Sequence, residues 1–246
     1  MWVFSAGMPR SGSTLQFQIT AELIESAGLG RRLEYARTAE FPTIRDQHHN
    51  EHQHLVFKTH HCSQDIEAQF AAGNAKAVYT FRDLRDVYAS RMRMREDTFK
   101  TVWNDNFLDK CLKDDAWWRS LSPVYITRYE DMINDLPREI SRLATFFNID
   151  ITDDRCTEIA DRYSFDKQKQ RIEHQRAQHD DNFDPKMLLH GNHLTAKPGS
   201  GWSDTLTDEQ AAKIELKTRD WLTQHGYPIL NPSPSFTQRL RLMFTR

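Results

Sequence analysis

Residues 7–14, GMPRSGST, constrain this chain more than any other stretch. The spacing is close to G-x-x-x-x-G-K-[ST], the loop whose backbone amides cradle nucleotide phosphates. Here, however, Ser13 stands at the lysine position, and the basic residue has moved to Arg10 inside the loop. Such a loop works only between a strand and a helix, and the sequence supplies both. WVFSAG (2–7) is aromatic and β-branched, as a buried strand is. Behind the loop Leu15, Ile19, Leu23 and Ala27 recur every four residues with Ile24 beside them, an apolar helical face closed by Gly28. Gly7 and Gly12 permit close backbone approach, and successive amides at a helix N-terminus make a nest for an anion. Ser13 and Thr14 add hydroxyls, and Arg10 adds a bidentate cation. A plain strand–helix turn needs no such combination. In triphosphate loops the lysine reaches the β- and γ-phosphates. Its loss predicts a nucleotide whose 5′ end differs from a triphosphate.

The rest of the chain reads as alternating strands and helices. HLVFKT (54–59) and KAVYTF (76–81) are short apolar runs, with a helix expected over 63–72 and ended by Gly73-Asn74. Residues 83–96 predict a helix, and VYITRYEDM (124–132) a strand running into a turn. The alternation predicts an α/β fold: a single domain, residues 1–230, with a central parallel sheet flanked by helices on both faces. Segments 98–121, 137–148, 153–179 and 207–224 look helical. The tail, 231–246, is expected to be a short helix docked on the domain. A long loop over 180–206, rich in Gly, Pro, Asn and Asp, is of the kind that carries function.

Composition sets the outer bounds. A chain of 246 residues can bury a substantial core. Its formal charge of −2 excludes a general nucleic-acid binder, so any anion site must be local. Three widely spaced cysteines, Cys62, Cys111 and Cys156, argue against a disulfide framework and for small buried hydrophobes in a reducing compartment. No window approaches the roughly 18 apolar residues of a membrane span. The expectation is a cytoplasmic protein without membrane insertion. Oligomeric state is not legible.

A second cluster is FRDLRDVYAS (81–90). Arg82 ends a strand and Ser90 lies two helical turns downstream, so the pair can address one anion at the C-terminal edge of the sheet, where α/β folds bind ligands. Together these features resemble the sulfotransferases that use 3′-phosphoadenosine 5′-phosphosulfate (PAPS). In that family a P-[KR]-S-G-[ST]-T loop binds the 5′-phosphosulfate, and MPRSGST is similar to it. The resemblance assigns Arg10, Ser11, Gly12, Ser13 and Thr14 to this role. It further gives Arg82 and Ser90 (R-x-x-x-D-V-x-x-S) to the 3′-phosphate, and Lys58-Thr59-His60 to the catalytic lysine and histidine. Tyr129-Glu130-Asp131-Met132 resembles the turn near the adenine. AKPGSGW resembles the late loop that closes on the 3′-phosphate, through Lys197, Gly199, Ser200, Gly201 and Trp202. These matches follow family order over about 200 residues. Two positions depart from the common pattern: Arg10 replaces a frequent lysine, and Leu15 replaces the frequent tryptophan that stacks on adenine.

The implied chemistry is in-line sulfuryl transfer to an acceptor hydroxyl or amine, leaving 3′,5′-adenosine bisphosphate. Arg10 and the loop amides would neutralise charge on the leaving phosphate, and no metal is required in principle. His60 is expected as general base, since an imidazole titrates near about 6.5. His61 is the weaker candidate, because adjacent strand residues face opposite ways. Lys58 is a second cation at the reacting centre. A small molecule is the expected acceptor; its class is not legible. The alternatives are a Mg–ATP small-molecule kinase, whose nearest metal ligand is Asp83, and a nucleotide-binding module without catalysis. RDQHHNEHQH (45–54) lacks a zinc signature, although His48 and His52 would share one face of a helix. Trp103, Trp117 and Trp118 are read as core.

Overall fold

The computed structural model describes residues 1–33, 35–177, 183–184, 188–190 and 201–230. The chain forms two compact units. One comprises residues 1–81 together with the described residues from 112 to 190, and the other residues 82–111 and 201–230.

The first unit holds the sheet. β1 (Trp2–Gly7), β2 (Gly30–Arg32), β3 (His54–Lys58), β4 (Ala75–Phe81) and β5 (Val124–Arg128) form five parallel strands in the order β2-β3-β1-β4-β5. From β1 the chain turns toward the β2 edge and from β4 toward the β5 edge. The C-terminal end of β1 therefore lies at the switch point where ligands of such sheets bind. α1 (Ser13–Ser26), α2 (Phe41–Gln47) and α3 (Gln64–Ala71) come between the early strands. α4 (Leu84–Arg95), α5 (Phe99–Asn104) and α6 (Phe107–Ser120) follow β4; α7 (Tyr129–Asn134), α8 (Leu136–Phe146), α9 (Asp153–Arg162) and α10 (Phe165–Ala177) follow β5. A two-stranded antiparallel ribbon, β6 (Phe183–Asp184) with β7 (Leu189–His190), precedes α11 (Asp208–Gln224).

Alternation along the strands divides the sheet's contacts by chemistry. Val3, Val56 and Val78 pack into an aliphatic core with Phe17, Ile19 and Leu23 of α1, Ile140 and Leu143 of α8, and Ile159 of α9. The intervening residues carry rings. Phe4 meets Phe41, Phe57, Phe70 and Trp118, and Tyr79 stacks on Trp118 at 6.4 Å. Of the three tryptophans read as core, Trp118 is fully buried, while Trp103 and Trp117 are half-buried.

In the second unit α4 packs against α11 and α5. Its centre is Arg85, whose guanidinium takes both Asp83 oxygens, Glu215 and the Pro228 carbonyl, with Trp202 over its face at 4.9 Å. The Tyr88 hydroxyl donates to the Phe99 carbonyl at 2.7 Å.

The α/β expectation holds, with local differences. β2 is a glycine and two arginines and α2 opens on Phe-Pro, so neither shows periodicity. The 98–121 helix is broken at Asp105–Asn106, where Asn106 takes φ 53°; 153–179 is broken after Arg162; and YEDM begins α7 rather than a turn. α2 stops at Gln47, so His48 and His52 share no helix. The three cysteines are free and buried. No described helix is long and apolar enough to cross a membrane. The tail, 231–246, and the loop residues Lys197, Gly199 and Ser200 lie outside the described residues.

Candidate active site

β1 delivers the chain at Gly7 into a tight turn. The Met8 amide donates to the Thr80 carbonyl at 3.0 Å, and the Ser11 amide to the Met8 carbonyl at 3.1 Å. The buried Ser11 hydroxyl lies 2.7 Å from the Met8 carbonyl and 2.9 Å from that of Thr80. Ser11 therefore shapes the loop from within. Thr80 in turn donates its hydroxyl to Gln16 on α1. Arg10 takes φ 71° and Gly12 φ 80°, two left-handed residues that aim the following amides outward.

The start of α1 differs from that of the capped helices. α3, α9 and α11 open on a Ser or Thr cap with acidic residues in the first turn. α1 opens on Gly12, with no side-chain cap and no acid, so its orphan amides are left for an anion. Gly12 is required for a second reason: a Cβ there would stand 2.6 Å from Cδ2 of Tyr129. The YEDM segment thus lies against the loop. Gly12→Ala should destabilise the fold by about 2–4 kcal/mol through the left-handed backbone and the ring clash. A melting curve checks this; an unchanged melting temperature would mean the loop tolerates another path.

The lysine absent from the loop comes from the next strand. Lys58 ends β3, on the same side as Val56, and its Nζ donates to Ser13 Oγ at 2.8 Å. It is 2 % exposed, and burial pulls its pKa down to about 7. A triphosphate loop's cation has been replaced by one standing on the helix N-terminus from outside.

β3 ends at Lys58, so His60 and His61 lie beyond it and strand alternation does not govern them. His60 Nδ1 is 2.8 Å from the Gly7 carbonyl. A carbonyl only accepts, so Nδ1 carries the proton and Nε2 of the neutral ring holds the lone pair. His61 Nδ1 is 2.7 Å from Asp114, an exposed imidazole (59 %) held by a mostly buried carboxylate (11 %). The His61 carbonyl accepts from the hydroxyls of Thr38 and Thr59. One turn beyond Asp114 on α6, Trp118 Nε1 donates to the His60 carbonyl at 3.2 Å. Asp114 was missed in the sequence and Trp118 was read only as core; their i, i+4 spacing was the one hint of a shared face. Leu15, at the stacking position, packs partly buried against the aliphatic core.

In the other unit, Asp86 and Ser90 are one turn apart on α4, and Arg82 lies just before its N-cap, Asp83. Arg82 Nη2 lies 3.4 Å from Asp86, and Ser90 is buried. Gly201 precedes the short turn Trp202–Asp204. Asp83 caps α4 through the Arg85 amide and pairs with the Arg85 guanidinium, leaving it poorly placed as a metal ligand. Among the described residues no group of three or more His, Cys, Asp or Glu side chains is placed to hold a metal ion.

A family model for the sulfotransferase domain matches residues 2–226. The chain belongs to the sulfotransferase family. Solved structures agree with this at the level of fold. A retinol dehydratase in complex with androsterone and the inactive cofactor PAP is 20% identical, with a TM-score of 0.63 over 94% of this chain and 83% of that one. Retinol dehydratase with retinol and PAP is 18% identical, with a TM-score of 0.62 over the same shares. Mouse sulfotransferase SULT7A1 with PAP is 17% identical, with a TM-score of 0.61 over 98% of this chain and 88% of that one. No curated protein matches the sequence. Within the sulfotransferase the predicted residues Arg10, Ser11, Gly12, Ser13, Thr14, Lys58, His60 and Tyr129 fall in the first unit, and Arg82, Ser90 and Gly201 in the second.

Proposed function

We propose that this sulfotransferase moves a sulfuryl group from PAPS to a hydroxyl or amine of a small-molecule acceptor. The observation that carries the proposal is the buried Lys58 on Ser13 at the uncapped start of α1. It places one amino group at an anion nest, where an arriving anion favours its charged form, in a loop with no lysine of its own to reach a γ-phosphate. The residues fit the donor: the nest suits a 5′-phosphosulfate, and Arg82 with Ser90 suits a 3′-phosphate. PAPS supplies an activated sulfuryl group on a phosphate leaving group. Arg10, Lys58 and the amides of α1 stabilise negative charge at that end. His60 Nε2, turned to the lone-pair form by Gly7, accepts the proton of the acceptor hydroxyl. The structures of similar fold that carry retinol or androsterone support a small acceptor, and three reduced cysteines support a cytoplasmic setting.

Thermal shift without metal tests this. At a hundredfold excess over Kd, 3′,5′-adenosine bisphosphate should stabilise the protein by about 2.7 kcal/mol, well beyond AMP. Arg82→Ala should shrink the bisphosphate shift to that of AMP. If Mg–ATP gives the largest shift instead, the donor is a triphosphate and the kinase alternative takes over.

A further inference from the structure

We propose that Arg93 is a further ligand for the nucleotide 3′-phosphate, an inference that rests on reading α4 as the helix that holds it. Positions 86, 90 and 93 follow i, i+4 and i+7, one stripe of α4, and Arg82, just before the helix, lies 3.4 Å from Asp86 at the head of that stripe. Helical side chains lean toward the N-terminus, so Arg93 folds back over the Ser90 turn. Its charge is close enough to Arg82 for the two to repel. Burial first, then that repulsion, lowers the guanidinium pKa, while Asp86 and Asp204 oppose the change. Two like charges this close are what a phosphate dianion would relieve.

The partners of the α4 arginines sharpen the point. Arg85 is saturated by Asp83, Glu215 and the Pro228 carbonyl. Arg93 makes no ion pair among the described residues. Its Nη1 donates to Thr205 Oγ1, and its Nε is buried with no partner among them. A buried guanidinium N–H without an acceptor is costly, and a phosphate oxygen is the acceptor that geometry and charge suit. The Thr205 contact anchors the guanidinium, leaving Nε for that oxygen.

The test is calorimetric titration of 3′,5′-adenosine bisphosphate and of AMP into wild type, Arg93→Met, Arg93→Lys, Arg82→Ala and the exposed-site control Arg95→Met. Arg93→Met should weaken bisphosphate binding about 10–100-fold, as loss of a charged hydrogen bond does, with AMP changed less than about threefold. Arg93→Lys, which restores charge without the fork, should fall between, and Arg95→Met should match wild type. If Arg82→Ala abolishes the preference for bisphosphate while Arg93→Met and Arg93→Lys retain it, the inference about Arg93 is wrong and the role of α4 stands. Equal weakening of both ligands by Arg93→Met would make Arg93 a structural tie to Thr205 and also overturn it. Absence of any preference in wild type would remove the 3′-phosphate reading itself.

Discussion

His60→Ala should lower kcat by about 10²–10⁴-fold, the usual contribution of a positioned general base. Steady-state turnover with PAPS and a permissive alcohol or phenol measures it. The KM for PAPS should move little, because the His60 bond to Gly7 leaves the loop's own ties, from Met8 and Ser11 to Thr80, in place. His60→Gln, which can restore a hydrogen bond to Gly7 but titrates nowhere near neutrality, should be as slow as the alanine variant. Normal turnover in either variant would remove His60 from the chemistry. His61, whose Nδ1 is held by Asp114, would then be the next imidazole to test.

Lys58→Met should do two opposite things. Activity should fall by about 10²–10³-fold, the scale of losing one charge-stabilising donor. The protein without nucleotide should nonetheless become more stable, by about 1–3 kcal/mol, because an apolar side chain of similar length replaces a buried cation. That is roughly 2–4 °C of melting temperature per kcal/mol for a chain of this size. The pH dependence follows from linkage. Native Lys58 titrates at about 7 against 10.5 for the ordinary side chain. Between those values the unfolded chain binds the extra proton, so the wild-type contribution makes stability rise with pH across that window. Below about pH 7 both states are protonated and the penalty of burying the charge is complete. Melting curves from pH 6.5 to 9.5 should show that slope in wild type and lose it in the variant. A variant that melts lower than wild type at pH 7 would mean that the bond to Ser13 outweighs the burial.

How much of this was legible in the sequence depended on whether neighbours in space were neighbours in the chain. β1, the loop and α1 are contiguous, and their glycines, β-branched residues and four-residue repeat announce them. β3 and β4 show as apolar runs because both their faces are buried. Lys58 and His60 were legible through the resemblance, whereas what holds them was not. Ser13 is 45 residues from Lys58, and Asp114 is 53 from His61. The rule that set His61 aside failed because the strand stops two residues short of His60. Arg93 was hidden in RMRMRE, where each arginine looks like solvated surface until the fold gives one of them a buried Nε.

The bond from His60 to Gly7 has one more consequence. Gly7 is the last residue of the central strand, in register with Thr80 of β4, and the peptide that carries its carbonyl is held from the other end by the Met8 amide on the Thr80 carbonyl. Which imidazole nitrogen carries the proton is therefore set by the end of a sheet strand rather than by solvent or by an incoming molecule. With His60 as the proposed base, the form of the ring is set before any acceptor enters, and the acceptor need not supply a group to orient it.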